Sequence, residues 1–291
     1  MDKRKKTSKR TLVQFLSSLL MNGNLKGFWT GKIYTGGSKR VCLPVLNCYS
    51  CPGALGACPI GSLQATANNG RTGWSFYILG FLALMGVLLG RFLCGWLCLF
   101  GLIQDLLYKI PVPKVKLPKK LDKSLRWVKH FNLVVFVLLM PLLFTGKAGA
   151  VIPYFCKYIC PAGTLEGSVP LLLANESLRS ALGPLYSWKF FVLVVVIVAS
   201  ILIYRPFCKF MCPMGAFYGL FNRFSFLRYQ VDAEKCVGCG KCAKVCKMGV
   251  DPVVSPNSPE CIRCGDCKAA CPTGAICRDC MTKHTMEETK L

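Results

Sequence analysis

Residues 236–272 read CVGCGKCAKVCKMGVDPVVSPNSPECIRCGDCKAACP, and their spacing decides the C-terminal part of the chain. Two C-x2-C-x2-C-x3-C runs follow one another: Cys236, Cys239, Cys242 and Cys246, then Cys261, Cys264, Cys267 and Cys271, the last followed by Pro272. In such a run three closely spaced thiolates wrap one face of an iron–sulfur cubane, while the fourth, more distant cysteine ligates the other cluster. The expected ligand sets are therefore Cys236, Cys239, Cys242 and Cys271 for one [4Fe–4S] cluster, and Cys246, Cys261, Cys264 and Cys267 for a second. Zinc is the rival for C-x2-C pairs, and two complete tandem runs argue against it.

Upstream, the composition changes the class of protein. The chain has 291 residues, of which 53% are hydrophobic and 17% charged, with a formal net charge of +24. That is too apolar for an ordinary soluble domain and predicts membrane spans. The positive charge gathers beside apolar runs and no nucleic-acid recognition motif accompanies it, so no nucleic-acid partner is expected. Only two histidines, His130 and His284, are present and there is no C-x-x-C-H, which leaves a multihaem carrier short of ligands. Twenty cysteines mostly in metal-ligand spacings point to metal binding rather than to a secreted disulfide framework.

A basic tail, residues 1–10, precedes an apolar stretch over residues 11–29 that is interrupted by Asn22, Gly23, Asn24 and Lys26. No small-residue cleavage site follows, so an uncleaved first helix is expected. Three further spans are predicted at 74–93, 131–147 and 188–204, each near the roughly 20 residues that cross a hydrocarbon core of about 30 Å. Lys109, Lys114, Lys116, Lys119, Lys120, Lys123, Arg126 and Lys129 crowd the loop between the second and third spans, whereas the next loop carries Lys147, Lys157 and Arg179. The positive-inside rule makes the first of these loops cytoplasmic. The consistent solution is a multi-pass protein of the cytoplasmic membrane, with both termini cytoplasmic. The expected fold is an α-helical membrane unit of four transmembrane helices, residues 11–232, then a small α+β dicluster ferredoxin-like domain, residues 233–280, and a polar tail, 281–291.

Within the membrane unit one motif is written four times: Cys58-Pro-Ile-Gly, Cys98-Leu-Phe-Gly, Cys160-Pro-Ala-Gly and Cys212-Pro-Met-Gly. Three copies have a second cysteine four residues earlier, Cys94, Cys156 and Cys208, and the first has Cys51, Cys48 and Cys42 before it. A duplicated two-span unit is the simplest origin. Cysteines four apart share a helix face, so Cys94, Cys98, Cys208 and Cys212 form an expected inner set of four thiolates, and Cys51, Cys58, Cys156 and Cys160 an outer set. One or two further clusters are expected there. Uncoordinated thiols at the inner face and disulfides at the outer face are the alternatives, and Cys42 and Cys48 are surplus or replace a named ligand. Gly86, Gly90 and Gly95 read as close-packing positions, Glu166 and Asp105 as carboxylates that transfer protons or are merely solvated, and Cys277-Arg-Asp-Cys280 as incidental thiols.

Residues 233–276 closely resemble a bacterial dicluster ferredoxin, with Lys247 where a proline is usual. Together with Arg91-Phe-Leu-Cys94-Gly-Trp-Leu-Cys98 and Arg205-Pro-Phe-Cys208-Lys-Phe-Met-Cys212-Pro213, the chain resembles the NapH/NosR-type polyferredoxin-like membrane proteins over nearly its whole length. That resemblance implies electron transfer between the quinone pool or cytoplasmic donors and partners across the membrane. Leu99 in place of proline and the extra outward motifs depart from the usual pattern and favour a transmembrane conduit. The expected function is thus an electron-transfer oxidoreductase component that relays electrons between cytoplasmic carriers, such as a ferredoxin-like donor, and an extracytoplasmic flavoprotein or reductase. The alternatives are a quinol dehydrogenase subunit, with quinone as a further cofactor, and an assembly or sensor protein with structural clusters.

Overall fold

The structure is a computed structural model and describes residues 2–67, 76–115, 117–144 and 151–277. The helix Asp2–Met21 is amphipathic in the reverse of the soluble sense. Arg10, Gln14, Ser18 and Asn22, spaced four apart along one face, are buried, whereas Leu12, Phe15, Leu16, Leu19 and Leu20 are exposed. A helix that turns its polar stripe inward and its leucines outward suits apolar surroundings. Its ends reach different sites. Arg10 donates from its guanidinium to Asp105 Oδ2 at 2.8 Å, while Asn22 Oδ1 lies 3.6 Å from Cys51 Sγ.

Two helices, Lys119–Leu143 and Pro184–Leu202, are long and apolar enough to cross a membrane by length and composition, with mean hydropathies of 1.4 and 2.3. Little of either is buried inside the molecule, as expected of helices that face lipid rather than a protein core. The other two expected spans differ from this standard. The described part of the second, Phe76–Leu89, is apolar and 14 residues long, and Gly90, at φ 53°, takes the left-handed conformation that ends it before residue 93; residues 74 and 75 of that expected span lie outside the described residues. Asp2–Met21 is long enough but carries the basic tail and the polar inner stripe. The third span starts earlier than expected, at Lys119, since the lysine-rich segment is its first turns, and residues 145–147 of that expected span lie outside the described residues. Its middle, Asn132–Leu139, is a π-helical stretch, and Asn132 Nδ2 there donates to Met211 O at 2.9 Å. Such bulges recur at functional sites. Between the helices lies one continuous core that includes Leu82, Leu93, Phe100, Val137, Phe155 and Phe207.

The repeated cysteine motif is not a helical i, i+4 pair. Cys58, Cys98, Cys160 and Cys212 each have extended backbone, with φ from −70° to −73°; Cys58, Cys98 and Cys212 are the N-caps of the helices that follow, and Cys160 caps the end of the turn before it. Proline at the next position suits this break, since its missing N–H is an orphan of the first turn in any case and its ring presets φ. Cys156 and Cys208 lie within single π-helical turns, Phe155–Ile159 and Phe207–Met211, which end at Cys160 and Cys212. The two thiols of a motif therefore belong to a helical turn and to the extended break that ends it, instead of to one helix face.

The C-terminal unit is held by two short helices, Lys241–Val245 and Asp266–Ala270, and by an antiparallel pair of two-residue strands that aligns Val231 with Ile276. It seats on the end of the membrane unit that carries Arg91. Glu260 accepts from Arg91 Nη1 at 2.9 Å and from Lys129 Nζ. Arg263 donates to Leu89 O at 2.9 Å and to Asn222 O at 2.8 Å, and Trp96 Nε1 donates to Arg263 O at 3.0 Å. A Cβ on Gly95 would lie 2.2 Å from Ile262 O, so this glycine permits the approach of the C-terminal unit, whereas Gly86 admits the Phe221 ring. Burial pushes the Glu260 carboxyl up, but Arg91 and Lys129 outweigh it and hold it at about 2. A carboxyl lowered on folding from its usual value near 4.3 stabilises fully above that value, and the contribution fades as pH falls toward 2. Glu260→Gln, which leaves two buried cations short of a counter-charge, should cost about 3 kcal/mol. Thermal unfolding of the two proteins at pH 7 and pH 3 tests this: the difference should shrink at pH 3, and equal midpoints at pH 7 would refute the clamp.

Candidate iron–sulfur sites

The C-terminal cysteines fall into two groups. Cys236, Cys239, Cys242 and Cys271 line a cavity of about 180 Å³, and Cys246, Cys261, Cys264 and Cys267 a tighter one of about 20 Å³. The same local device builds both. Gly240 and Gly265, at φ 64° and 81°, turn the chain into the short helices that carry Cys242 and Cys267, and Cys246 and Cys271 end those helices in extended conformation. The two sites differ in access. Cys239 is exposed among exposed Val237 and Val254, whereas burial pushes the thiols of both Cys264 and Cys267 up to about 12. Iron binding there must therefore expel protons.

Cys94, Cys98, Cys208 and Cys212 are buried and in mutual electrostatic contact. A local two-fold relation organises them. Arg91, three residues before Cys94, donates through Nη2 to Cys208 O at 2.9 Å, and Arg205, three residues before Cys208, donates through Nη1 to Cys94 O at 2.7 Å. Gly215 and Gly101 leave room for these guanidinium groups: a Cβ would lie 3.2 Å from Arg91 Nη2 at the first and 3.1 Å from Arg205 Nη1 at the second. Arg205 sits at φ 48°, an unusual conformation for a residue with a side chain. Its guanidinium is fixed by Asp105, with Nε to Oδ1 at 2.8 Å and Nη2 to Oδ2 at 2.5 Å. Gln104 Nε2 donates to Cys208 Sγ at 3.1 Å while Gln104 Oε1 accepts from Phe207 N at 3.2 Å.

The outer site repeats that glutamine. Gln64 Nε2 donates to Cys156 Sγ at 3.3 Å and Gln64 Oε1 accepts from Phe155 N at 2.9 Å. Both glutamines lie six residues after a motif cysteine, Cys58 and Cys98, so the repeat extends further than its cysteines and glycine. The outer grouping changes by one member from the sequence expectation. Cys48, Cys58, Cys156 and Cys160 line a cavity of about 490 Å³, and Cys51 points instead toward Asn22. The reason is local: Glu166 Oε2 accepts from Cys48 N at 2.8 Å and Gly167 passes close to Cys48 Sγ, which draws Cys48 into the site. Cys42 pairs its backbone with Ala57. Neither Glu166 nor Asp105 is merely solvated, since both are buried and Asp105 is doubly ion-paired. Cys277 is disulfide-bonded, and Cys280 lies outside the described residues.

These sites suit iron–sulfur clusters on their own chemistry. Four soft thiols are gathered at each, and N–H groups already point at sulfur, as Gly215 N does at Cys212 Sγ and Val250 N at Cys246 Sγ, both at 3.4 Å. Among the described residues no three Cys, His, Asp or Glu side chains converge closely enough for one metal ion, and a cubane spreads its ligands wider than a single ion does. Buried polar atoms without a partner, Asn47 Oδ1 and Nδ2, Thr164 Oγ1 and Glu166 Oε1, gather near the outer set. Arg91, Arg205, Gln64 and Gln104 were not among the expected site residues, although their fixed offsets from the motif cysteines were visible.

Family models described as 4Fe-4S binding domain match residues 71–118, 133–169 and 185–228, and again residues 229–250. An uncharacterized protein of Methanocaldococcus jannaschii is 28% identical over 68% of this chain and 68% of its own length. YccM of Escherichia coli, an electron transport protein by name, is 32% identical over 56% of the chain and 43% of its own length. The methylamine utilization ferredoxin-type protein MauN of Methylobacillus flagellatus is 29% identical over 58% and 51%. The chain thus spans about half the length of these two named relatives, and no solved structure matches.

The choice between Cys48 and Cys51 can be measured on anaerobically purified full-length protein. Cys48→Ser should remove about four iron atoms and their sulfide relative to the parent, the content of one cubane, and Cys51→Ser should leave iron unchanged. The reverse pattern would restore Cys51 to the outer set.

Proposed function

We propose, from the matches to 4Fe-4S binding domains and the likeness to electron-transport and ferredoxin-type proteins, that this chain is of the NapH/NosR type and relays electrons across the cytoplasmic membrane through four cysteine-built sites in series. Iron–sulfur clusters, when bound, supply reversible one-electron chemistry, and the residues set their order. The exposed set Cys236, Cys239, Cys242 and Cys271 faces cytoplasmic carriers. Behind it come Cys246, Cys261, Cys264 and Cys267, then Cys94, Cys98, Cys208 and Cys212, and last Cys48, Cys58, Cys156 and Cys160 on the outer side, where an extracytoplasmic flavoprotein or reductase exchanges electrons.

One observation supports this reading: a buried side chain that follows the inner motif also reaches the segment of the outer cysteines. Tyr218, six residues after Cys212, is fully buried, is within electrostatic reach of Cys94 and Cys212 on one side and of Cys58 and Cys42 on the other, and donates its hydroxyl to Pro44 O at 3.1 Å. The stretch of the first helix from Arg10, beside the inner site, to Asn22, beside the outer loop, covers about 18 Å at 1.5 Å per residue. Both sites therefore sit closer together than the full thickness of a hydrocarbon core of about 30 Å. The reversed amphipathicity of Asp2–Met21 and the exposed Phe190, Phe191, Val194, Val195 and Val198 on Pro184–Leu202 support four crossings. In that topology Arg10, Arg91, Arg205 and the C-terminal unit share the cytoplasmic side.

The test is transfer across a sealed bilayer. In proteoliposomes, dithionite or reduced ferredoxin on the side of the C-terminal unit should reduce an impermeant acceptor on the other. Cys160→Ser and Cys212→Ser should each abolish this while the C-terminal sites keep their iron. Transfer that persists in both variants, or that needs added quinone, would make the protein a one-sided quinone-linked carrier.

A further inference from the structure

Between the membrane unit and the C-terminal unit lies a cleft of about 640 Å³ whose wall is strongly basic. Lys119, Lys123, Arg126 and Lys209 come from the membrane unit, and Lys244 and Lys247 from the C-terminal unit. Asp122 is the one acid in the lining, and it is taken by Arg126 and Lys209. The remaining four lysines form no salt bridge with any carboxylate among the described residues, and the ammonium of Lys247 lies over the Tyr204 ring at 5.4 Å. Four like charges converging from two units on one concavity repel one another unless an anion lies among them.

The position of the cleft says what kind of anion. Its apolar edge is made by Val115, Leu117 and Ile203, where the end of Pro184–Leu202 meets the start of Lys119–Leu143 and Val115 N donates to Leu202 O at 3.1 Å. These are the same-side ends of the two helices long and apolar enough to cross a membrane. A basic pocket at that level, with hydrocarbon-compatible side chains at its lip, is built like a headgroup site. Cys246 of the second C-terminal set also lines it.

We propose that this cleft binds the phosphate headgroup of an anionic phospholipid, which bridges Lys119 and Lys123 to Lys244 and Lys247 and so fastens the C-terminal unit to the membrane beside Cys246. The inference rests on the membrane reading above. Phosphate esters are the shared chemistry, and the apolar lip selects the lipid over a soluble phosphate compound.

Full-length protein in a neutral detergent, titrated with short-chain phosphatidylglycerol, should bind it saturably at one site. Phosphatidylcholine and inorganic phosphate should each bind at least tenfold more weakly. The quadruple variant K119Q/K123Q/K244Q/K247Q should lose at least tenfold in affinity for phosphatidylglycerol while keeping the parent's iron content, and K109Q/K120Q, which changes lysines outside the cleft, should bind like the parent. Equal binding of the two lipids, undiminished affinity in the quadruple variant, or inorganic phosphate binding as tightly as phosphatidylglycerol would each overturn the proposal. Alkaline carbonate extraction separates the two readings: a chain that stays with the membrane yet fails the titration loses only the headgroup site, whereas a chain released by carbonate loses the membrane reading and this site with it.

Discussion

Two buried guanidinium groups, each gripping the backbone of the opposite motif, hold this molecule together. Arg91 reaches Cys208 O and Arg205 reaches Cys94 O, so neither half of the inner site is placed without the other. A buried cation is tolerable only when paired, and the partners chosen extend the constraint outward. Asp105 ties Arg205 to Arg10 and hence the N-terminal helix to the site. Glu260 ties Arg91 and Lys129 to the C-terminal unit. Three parts of the chain that are distant in sequence are thus registered on one set of four thiols.

The outer site keeps the repeat's cysteines, glycines and glutamine but has no such arginines. Pro153 stands where the inner copy has Arg205, three residues before the first motif cysteine, and the chain that closes the outer site comes from a loop fixed by Glu166. Burial pushes the Glu166 carboxyl up to about 7, so its hold on the Cys48 N–H is that of a group far less firmly charged than Asp105. The two ends of one duplicated architecture therefore differ in how they are held: ion-paired arginines grip the inner motifs, whereas a carboxyl holds Cys48 N and Lys189 lines the cavity at the outer site.

Much of the architecture could be read from residue order. The tandem cysteine runs in the C-terminal unit prescribe two sets of four, and the same sets line its two cavities. The basic segment at Lys109–Lys129 and the apolar run at 188–204 indicate which parts favour lipid. The difference over Cys51 has a definite source. With Cys42, Cys48 and Cys51 all upstream of Cys58, spacing alone cannot say which thiol turns inward, because the decision falls to Glu166 and Gly167, more than a hundred residues away. The i, i+4 reading of C-x3-C fails for a related reason: the second cysteine takes an extended backbone that breaks the helix, with proline next in three of the four copies and Leu99 in the other.

By itself the sequence determined the chemistry, since thiol spacing selects iron–sulfur ligation, and it set the expectation of sidedness through the distribution of lysine and arginine; both are local properties of the chain. The tertiary structure decided which thiols meet, how near the inner and outer sites approach through Tyr218, and how the C-terminal unit seats through Glu260, Arg263 and Gly95. These depend on contacts between residues 100 or more positions apart, where a buried charge finds its partner only once the helices have packed.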